Sequence, residues 1–340
     1  MSPTLETPDQ PQSGHVPVLL HEVLAVLHPA KDETHVDLTF GAGGYTKAIL
    51  DTQDCNVIAF DRDPDAIRDG QTLVAASSGR LTLIESDFGS FNAELDSRDI
   101  AQVDGVVMDI GVSSMQLDQA ARGFSFLRDG PLDMRMAQSG PSAADIIAKA
   151  SADKLADIIY VFGEEHKSRA IARAILKARA EAPITTTRQL VAAVERATGP
   201  ARPHIRTHPA TKTFQALRIY INDELGQLVD ALIAAEQVLK PGGRLVIVTF
   251  HSLEDRIAKQ FLAERTGNLP GASRHAPGPA STTAPSFRLL QKGHIAASES
   301  EIAVNPRSRS AKLRVAIRTD APAWGKQGAF CKSVESMRAQ

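Results

Sequence analysis

Short β-branched runs alternate with helical stretches through the first third of the chain. Thr34 to Phe40 reads as a buried strand running into Gly41-Ala42-Gly43-Gly44, and Tyr45 to Leu50 opens a helix. Asn56 to Phe60 predicts a second strand, which ends on Asp61-Arg62-Asp63-Pro64 with a helix after it. Leu81 to Glu85 predicts a third, and Val103 to Met108 a fourth that ends on Asp109. Strands and helices alternating at this spacing argue for parallel βαβ units, hence a doubly wound α/β sheet. The pattern changes at Ser142. From there to about Arg196 the chain is alanine-rich and helical, with Ile146, Ile147, Leu155, Ile158 and Ile159 apolar and no strand signal, which reads as an inserted all-helical module.

The α/β pattern then returns. Leu225, Leu228, Val229, Leu232 and Ile233 recur at helical spacing, and Pro241-Gly242-Gly243 is expected to stop that helix. Arg244 to Phe250 predicts a strongly β-branched strand, and Leu313, Val315 and Ile317 alternate with Lys312, Arg314 and Arg318 in a half-buried one. Gly267 to Pro285, rich in Gly, Pro, Ala, Ser and Thr, reads as a mobile loop. These signals divide the chain into a disordered tail (1–14), a discontinuous α/β domain (15–137 and 212–320), an inserted helical domain (138–211) and a weakly ordered tail (321–340).

Composition narrows the class. The 340 residues exceed the usual single domain, and 43% hydrophobic with 23% charged residues is ordinary for a soluble enzyme. No apolar run approaches the length of a membrane span. The first fifteen residues hold Glu6, Asp9, Pro8 and Pro11 without an apolar core, which reads as a tail and not as a secretory leader. Two cysteines, Cys55 and Cys331, fit neither a disulfide framework nor a cysteine-rich zinc site, and suit a reducing cytoplasm. The histidines lack zinc-ligand spacing, so no metal is expected. A net charge of −2 hides a local asymmetry: between Tyr160 and Arg218 there are eleven Lys and Arg against four acids. His166, Arg169, Arg173 and Lys177 fall on one helical face, and Lys167, Arg169, Arg173 and Lys177 are the candidate phosphate contacts.

The glycine turn carries the chemistry. Gly41, Gly43 and Gly44 let a ligand approach the backbone where a strand hands over to a helix. Asp61, twenty residues beyond Gly41, ends the next strand, where a carboxylate accepts hydrogen bonds from ribose hydroxyls. NAD, FAD and S-adenosylmethionine folds all share this arrangement. A dinucleotide fingerprint wants glycine where this chain has Thr46. Asp37, just before the turn, would repel a pyrophosphate and suits the ammonium or sulfonium end of S-adenosylmethionine. A nucleotide-dependent dehydrogenase and a non-catalytic factor that merely retains the fold stay open as alternatives.

Several blocks resemble one family in order. They are His15-Val-Pro-Val-Leu-Leu-His-Glu22, Asp37-Leu-Thr-Phe-Gly-Ala-Gly-Gly44, Phe60-Asp-Arg-Asp-Pro64, Met108-Asp-Ile-Gly-Val-Ser-Ser114 and Arg122-Gly-Phe-Ser-Phe126. Gly130-Pro-Leu-Asp-Met-Arg-Met136, His208-Pro-Ala-Thr-Lys-Thr-Phe-Gln-Ala216, Phe250-His-Ser-Leu-Glu-Asp-Arg256 and Asn305-Pro-Arg-Ser-Arg-Ser310 follow. Together they resemble the bacterial RsmH (MraW) family from about His15 to Arg318. The resemblance implies a Rossmann-like class I S-adenosylmethionine methyltransferase acting on N4 of cytosine 1402 in 16S rRNA of the small ribosomal subunit, and it admits a homodimer. Carried over by position, the cofactor contacts are Gly43, Gly44, Tyr45, Asp61, Phe88, Asp109 and Gln116. Tyr45 departs from the family, which usually has His there. Methylation at C5 of cytosine would need a cysteine nucleophile, and neither cysteine lies near the ends of the fourth or fifth strand. Methylation at N4 needs an acceptor for an N4 proton. Asp109 is the candidate catalytic residue, with His251, Ser252 and Glu254 as alternative pocket residues.

Overall fold

The computed structural model describes residues 17–200, 207–268, 283–328 and 330. The expected amino-terminal tail and most of the expected loop from Gly267 to Pro285 lie outside them. Among the described residues the strands are β1 (Thr34–Asp37), β2 (Asn56–Asp61), β3 (Leu81–Glu85), β4 (Val103–Asp109), β5 (Leu239–Thr249), β6 (Phe287–Leu289), β7 (Ile295–Ala296) and β8 (Lys312–Arg318). They form one sheet in the order β3-β2-β1-β4-β5-β8-β6, with β7 also on β8. β1 to β5 run parallel, and β8 is antiparallel to β5, β6 and β7. This is the doubly wound, Rossmann-like sheet that the alternation predicted. Strand order reverses between β1 and β4, and ligands of such sheets bind outside the carboxyl ends of the strands at that point.

Alternating strand residues feed two cores. Val36, Ile58, Phe60, Val106, Met108, Leu245 and Ile247 face one side, where Leu228, Leu232 and Phe261 pack on them. Val57, Ala59, Val107, Val246, Val248 and Leu313 face the other, under Val23, Leu27 and Ile49. Residues that are buried on both faces explain why the parallel strands read as continuous apolar runs. The helices that cover the sheet before the insert are α1 (Leu20–Leu27), α2 (Gly44–Thr52), α3 (Pro64–Ala76), α4 (Phe91–Asp96) and the short α5 (Ser114–Asp118). The insert carries α6 (Ala143–Lys149), α7 (Ala152–Gly163), α8 (Ser168–Glu181) and α9 (Thr187–Thr198). After it come α10 (Thr211–Asn222), α11 (Glu224–Val238), α12 (Ser252–Arg265) and α13 (Glu299–Val304). Capping boxes start α5 (Ser113 with Gln116), α6 (Ser142 with Asp145), α9 (Thr186 with Gln189) and α12 (His251 with Glu254). Each satisfies backbone donors that the helix leaves unpaired.

Three features differ from the sequence reading. Helix α11 ends at Val238, before the Pro-Gly-Gly expected to stop it. That tripeptide instead bulges from β5, where Leu239 and Arg244 pair with Val103 and Gly105 across a register shift, and Gly242 takes φ 87°. The apolar cluster that fills the insert reaches past the expected 138–211, drawing in Phe124, Leu132 and Met134 on one side and Phe214 and Leu217 on the other. Finally, the segment after Asp320, expected to be weakly ordered, packs against the sheet domain: Trp324 and Phe330 are buried. Trp324 donates its backbone N–H to Glu236 and its indole N–H to the Ala284 carbonyl. The remaining tail, residues 331–340, lies outside the described residues.

Candidate active site

A cavity of about 970 Å³ opens at the carboxyl edge of the sheet, where β1, β2, β4 and β5 end. Its wall begins with the glycine turn. Gly41 and Gly43 take φ 53° and 77°, a left-handed conformation that costs glycine nothing. At Gly44 the reason is space, since a Cβ there would lie 2.2 Å from Cγ of Pro17. Pro17 and Val18 line the cavity, and the Tyr45 hydroxyl, fixed on α2, donates to the Val18 carbonyl. Tyr45 therefore works through its buried side chain, clamping the segment before α1 over the turn.

Asp61 closes the turn from the end of β2. Its two carboxylate oxygens accept the backbone N–H groups of Gly41 at 2.7 Å and Asp63 at 2.8 Å. Burial outweighs these bonds and pushes its pKa up to about 6. Asp109, at the end of β4, is the least satisfied group in the cavity. Its backbone N–H donates to Thr39 Oγ1 at 2.7 Å, but its Oδ1 is buried without a hydrogen-bond partner among the described residues. Burial holds this carboxyl well above the ordinary carboxylate range, and the Asp37 and Glu254 carboxylates add to the effect.

Of the seven residues expected to contact a cofactor, Gly44, Tyr45, Asp61, Phe88, Asp109 and Gln116 line this cavity. Gly43 turns its α-carbon toward the Phe40 ring, 2.9 Å from where a Cβ would sit, and serves as the left-handed cap of α2. Phe88 is half-buried against the sheet core. Gln116 spends its amide inside the protein: its oxygen accepts from Ser113 N–H at 3.1 Å and its nitrogen donates to Asp63 at 2.8 Å.

Asp37 ends β1 just before the turn, as read, but it is fully buried, is not among the residues that line the cavity, and is bonded by Thr46 Oγ1 at 2.7 Å and Thr39 N–H at 3.1 Å, so it braces the glycine turn from beneath. Thr46, the position where a dinucleotide fingerprint has glycine, is thus its partner. His251 caps α12, with Nε2 2.8 Å from Glu254 Oε1, while Glu254 Oε2 accepts from the Phe250 and His251 N–H groups. His251 lines the cavity with both ring nitrogens turned to that cap. Ser252 and Arg256 hold Glu164 at the end of α7, which ties the insert to the cavity edge.

Sequence reasoning missed two parts of the wall. Arg218 on α10 makes a two-pronged pair with Glu224 on α11, at 2.7 and 2.9 Å, and lies 4.0 Å from Glu254. The other is the rim formed by Val304, Asn305, Arg307 and Ser310, where Arg307 pairs with Asp118. The Asn305-Pro-Arg-Ser-Arg-Ser310 block was its only signal, and nothing in that block says what it faces. Three side chains from later in the chain converge on Asp63, which accepts from Gln116, from Arg122 at 2.7 Å and from Gln138 at 3.2 Å. Arg122 also donates to the Arg135 and Met136 carbonyls. These residues hold the loop wall in place.

Cys55 is buried immediately before β2, at the sheet edge opposite the cavity, where burial also raises its thiol pKa. Cys331 lies outside the described residues. Among the described residues no group of His, Cys, Asp and Glu could hold a metal ion, and no helix is long and apolar enough to cross a membrane.

The structure also divides the basic residues of the insert. Arg179 donates to the Ile147 and Ala150 carbonyls, Lys212 to that of Glu164, and Arg196 pairs with Glu181. Lys167, Arg169, Arg173 and Lys177 are exposed. No ion pair engages their side chains among the described residues.

The family model described as the MraW methylase family matches residues 12–319. A relative named ribosomal RNA small subunit methyltransferase H, from Methylorubrum extorquens, is 57% identical over 319 residues, covering 94% of this chain and 91% of its own. A second of that name, from Azorhizobium caulinodans, is 59% identical over 309 residues, covering 91% of this chain and 88% of its own. Among solved structures, an rRNA methylase from Streptococcus thermophilus aligns with 93% of this chain and 100% of its own, at 10% identity and a TM-score of 0.39.

Proposed function

The chain belongs to the MraW methylase family, and on that premise we propose that it transfers a methyl group from S-adenosyl-L-methionine to N4 of cytosine 1402 in 16S rRNA of the small ribosomal subunit, in the cytoplasm. The observation that carries this reading is the pairing, in one cavity, of the Asp61-closed glycine turn with the unpartnered Oδ1 of Asp109. The names of the relatives, ribosomal RNA small subunit methyltransferase H, support the RNA substrate.

Bound, S-adenosylmethionine supplies a methyl group on a cationic sulfur. The chain's residues do the rest. The glycine turn lets the backbone come close, and Asp61 has lone pairs left for two ribose hydroxyls after accepting Gly41 and Asp63. Phe88 offers an apolar face for adenine. Asp109 accepts a hydrogen of N4, which raises electron density on that nitrogen and holds it in line with the methyl group. Positioning of this kind lowers a barrier by roughly 7–11 kcal/mol. Cys55 is buried on the far edge of the sheet, so among the described residues no thiol stands at the pocket, and this supports N4 over C5 as the acceptor, because C5 chemistry needs a thiolate there. The unpartnered bases on α8 start beside Glu164, which Ser252 and Arg256 fasten to the cavity edge. That placement suits contacts with RNA phosphates around a base delivered to the cavity.

The test is direct. Small-subunit rRNA from a strain lacking this gene is digested and its nucleosides are analysed by mass spectrometry. Loss of N4-methylcytidine at the target position, restored by the wild-type gene, is the expected result. Persistence of the mark would mean that the chain binds ribosomes without modifying them.

A further inference from the structure

We propose that Asp109 is the residue by which the cavity distinguishes a cation from a neutral ligand: a ligand's positive charge sits against its buried, unpartnered Oδ1. This rests on the cofactor reading above and goes beyond it. The other carboxylates at this edge of the sheet already have donors. Asp61 has two backbone N–H groups, Asp37 has Thr46 and Thr39, and Glu224 has Arg218. Glu254 has the Phe250 and His251 N–H groups on Oε2, and its Oε1, also without a hydrogen bond, is covered by His251 Nε2 at 2.8 Å. Asp109 Oδ1 has none among the described residues.

The charged surroundings point the same way. Asp37 from β1 and Glu254 from α12 act on Asp109, and both disfavour a second negative charge. Tyr45, from α2, shares its field but is a neutral phenol held on the Val18 carbonyl, and its own pKa lies well above the ordinary value. His251 and Arg218 are closed on Glu254 and Glu224. A buried carboxylate between two others, with no cation turned to it, keeps its proton. A ligand cation against Oδ1 reverses that balance and the proton leaves.

Methyl transfer then reverses it again. The N4 lone pair forms the new N–C bond, the C–S pair goes to sulfur, and N4 must shed a proton. Before the step there is a sulfonium, a neutral amine and the Asp109 carboxylate. After it there is a neutral thioether, a neutral methylamine and the Asp109 carboxylic acid. Atoms and charge balance, and the loss of positive charge beside Asp109 is what makes its oxygen the proton's destination. Asp109 thus couples proton uptake to transfer and weakens its hold on the spent, neutral product less than on the cation as the medium turns acidic.

Isothermal titration calorimetry on the full chain tests this, with S-adenosylmethionine and S-adenosylhomocysteine as the two probes. Titrations run from about pH 6 to about pH 8, in pairs of buffers of different ionisation enthalpy. Binding of S-adenosylmethionine is expected to release about one proton more than binding of S-adenosylhomocysteine. The ratio of the two affinities then rises about tenfold per pH unit, until the pH at which Asp109 ionises in the empty cavity. Asp61 and the ligands' carboxylates are common to both titrations and cancel in the ratio, and the ammonium groups, of which the sulfonium makes one more acidic, are titrated on the free ligands and subtracted. Asp109→Asn is expected to flatten both readouts, but the wild-type comparison stands without it. A wild-type ratio independent of pH would overturn the inference and leave the cofactor reading intact, because both ligands would still bind. Failure of S-adenosylmethionine to bind would overturn both.

Discussion

Asp61 is under opposite demands in the empty and the filled cavity. Empty, it is a buried carboxyl whose pKa is pushed up to about 6 although two backbone N–H groups favour its charged form. Its folded pKa lies above its ordinary value of 3.8, so the folded protein binds more proton than the unfolded chain between those pH values. The stability tied to Asp61 is therefore complete below about pH 4 and is lost as pH rises through about 6. At roughly 1.4 kcal/mol per pKa unit the loss by neutral pH is at most about 3 kcal/mol. Asp61→Asn, which leaves one of the two N–H groups facing an amide donor, is expected to flatten this part of the pH profile, read as urea midpoints from about pH 4 to about pH 8. Asp61→Ala is expected to abolish S-adenosylmethionine binding by calorimetry. Unchanged affinity in the alanine variant would remove Asp61 from the site. The residue's position was legible because a strand end twenty residues past a glycine turn has few alternatives. Asp37 was misread for a physical reason: its partner, Thr46, sits on the other side of the turn, and a linear sequence does not show that the two side chains meet beneath it.

At the scale of elements, the central strands β2, β4 and β5 were readable because they are buried on both faces and apolar residues run almost unbroken along them. The carboxyl-terminal segment was not, since Trp324 and Phe330 are isolated apolar residues in a polar stretch whose partners lie far back in the chain. Arg265 is fully buried on α12, with Nε 3.0 Å from Glu236 and one guanidinium nitrogen 2.6 Å from Glu264. The segment completes that cluster. Arg265 donates to the Gly325 and Gln327 carbonyls, its guanidinium lies 4.9 Å from the Trp324 ring centroid, and Glu236 accepts the Trp324 and Gly325 N–H groups. A chain ending at Asp320 would leave these buried charges short of partners, which typically costs about 3–5 kcal/mol. Urea denaturation of that truncated chain is expected to show a loss of this size. A loss under about 1 kcal/mol would return the segment to the weakly ordered tail that its composition suggested.

The whole molecule joins a cavity at one sheet edge to a helical insert with its own core, and the charge pattern of the insert makes sense only once the two are seen together. Counted along the sequence, there is an excess of seven positive charges between Tyr160 and Arg218, across the insert and α10. The fold consumes several of these: Arg179, Arg196, Lys212 and Arg218 hold carbonyls or carboxylates of the protein itself. Arg188 reaches Asp129, and Arg202 and Arg206 lie outside the described residues; among the described residues what is left is narrower and better placed. Lys167, Arg169, Arg173 and Lys177 are exposed along α8, and that helix begins four residues after the Glu164 that is fastened to Ser252 and Arg256 at the start of α12. A phosphate contact contributes a salt-dependent share of affinity through counterion release, whereas a solvated charge contributes almost none. Reversing Arg169 and Arg173 to Glu is therefore expected to weaken binding to a small-subunit rRNA fragment. It should also reduce the slope of log affinity against log salt by about one to two units, since each phosphate neutralised on single-stranded RNA accounts for about 0.7. S-adenosylmethionine affinity, read on the same preparation, reports that the variant is folded. An unaltered salt slope would mean that α8 is an ordinary solvated face, and that the RNA reaches the cavity across the rim of Val304 and Arg307 instead.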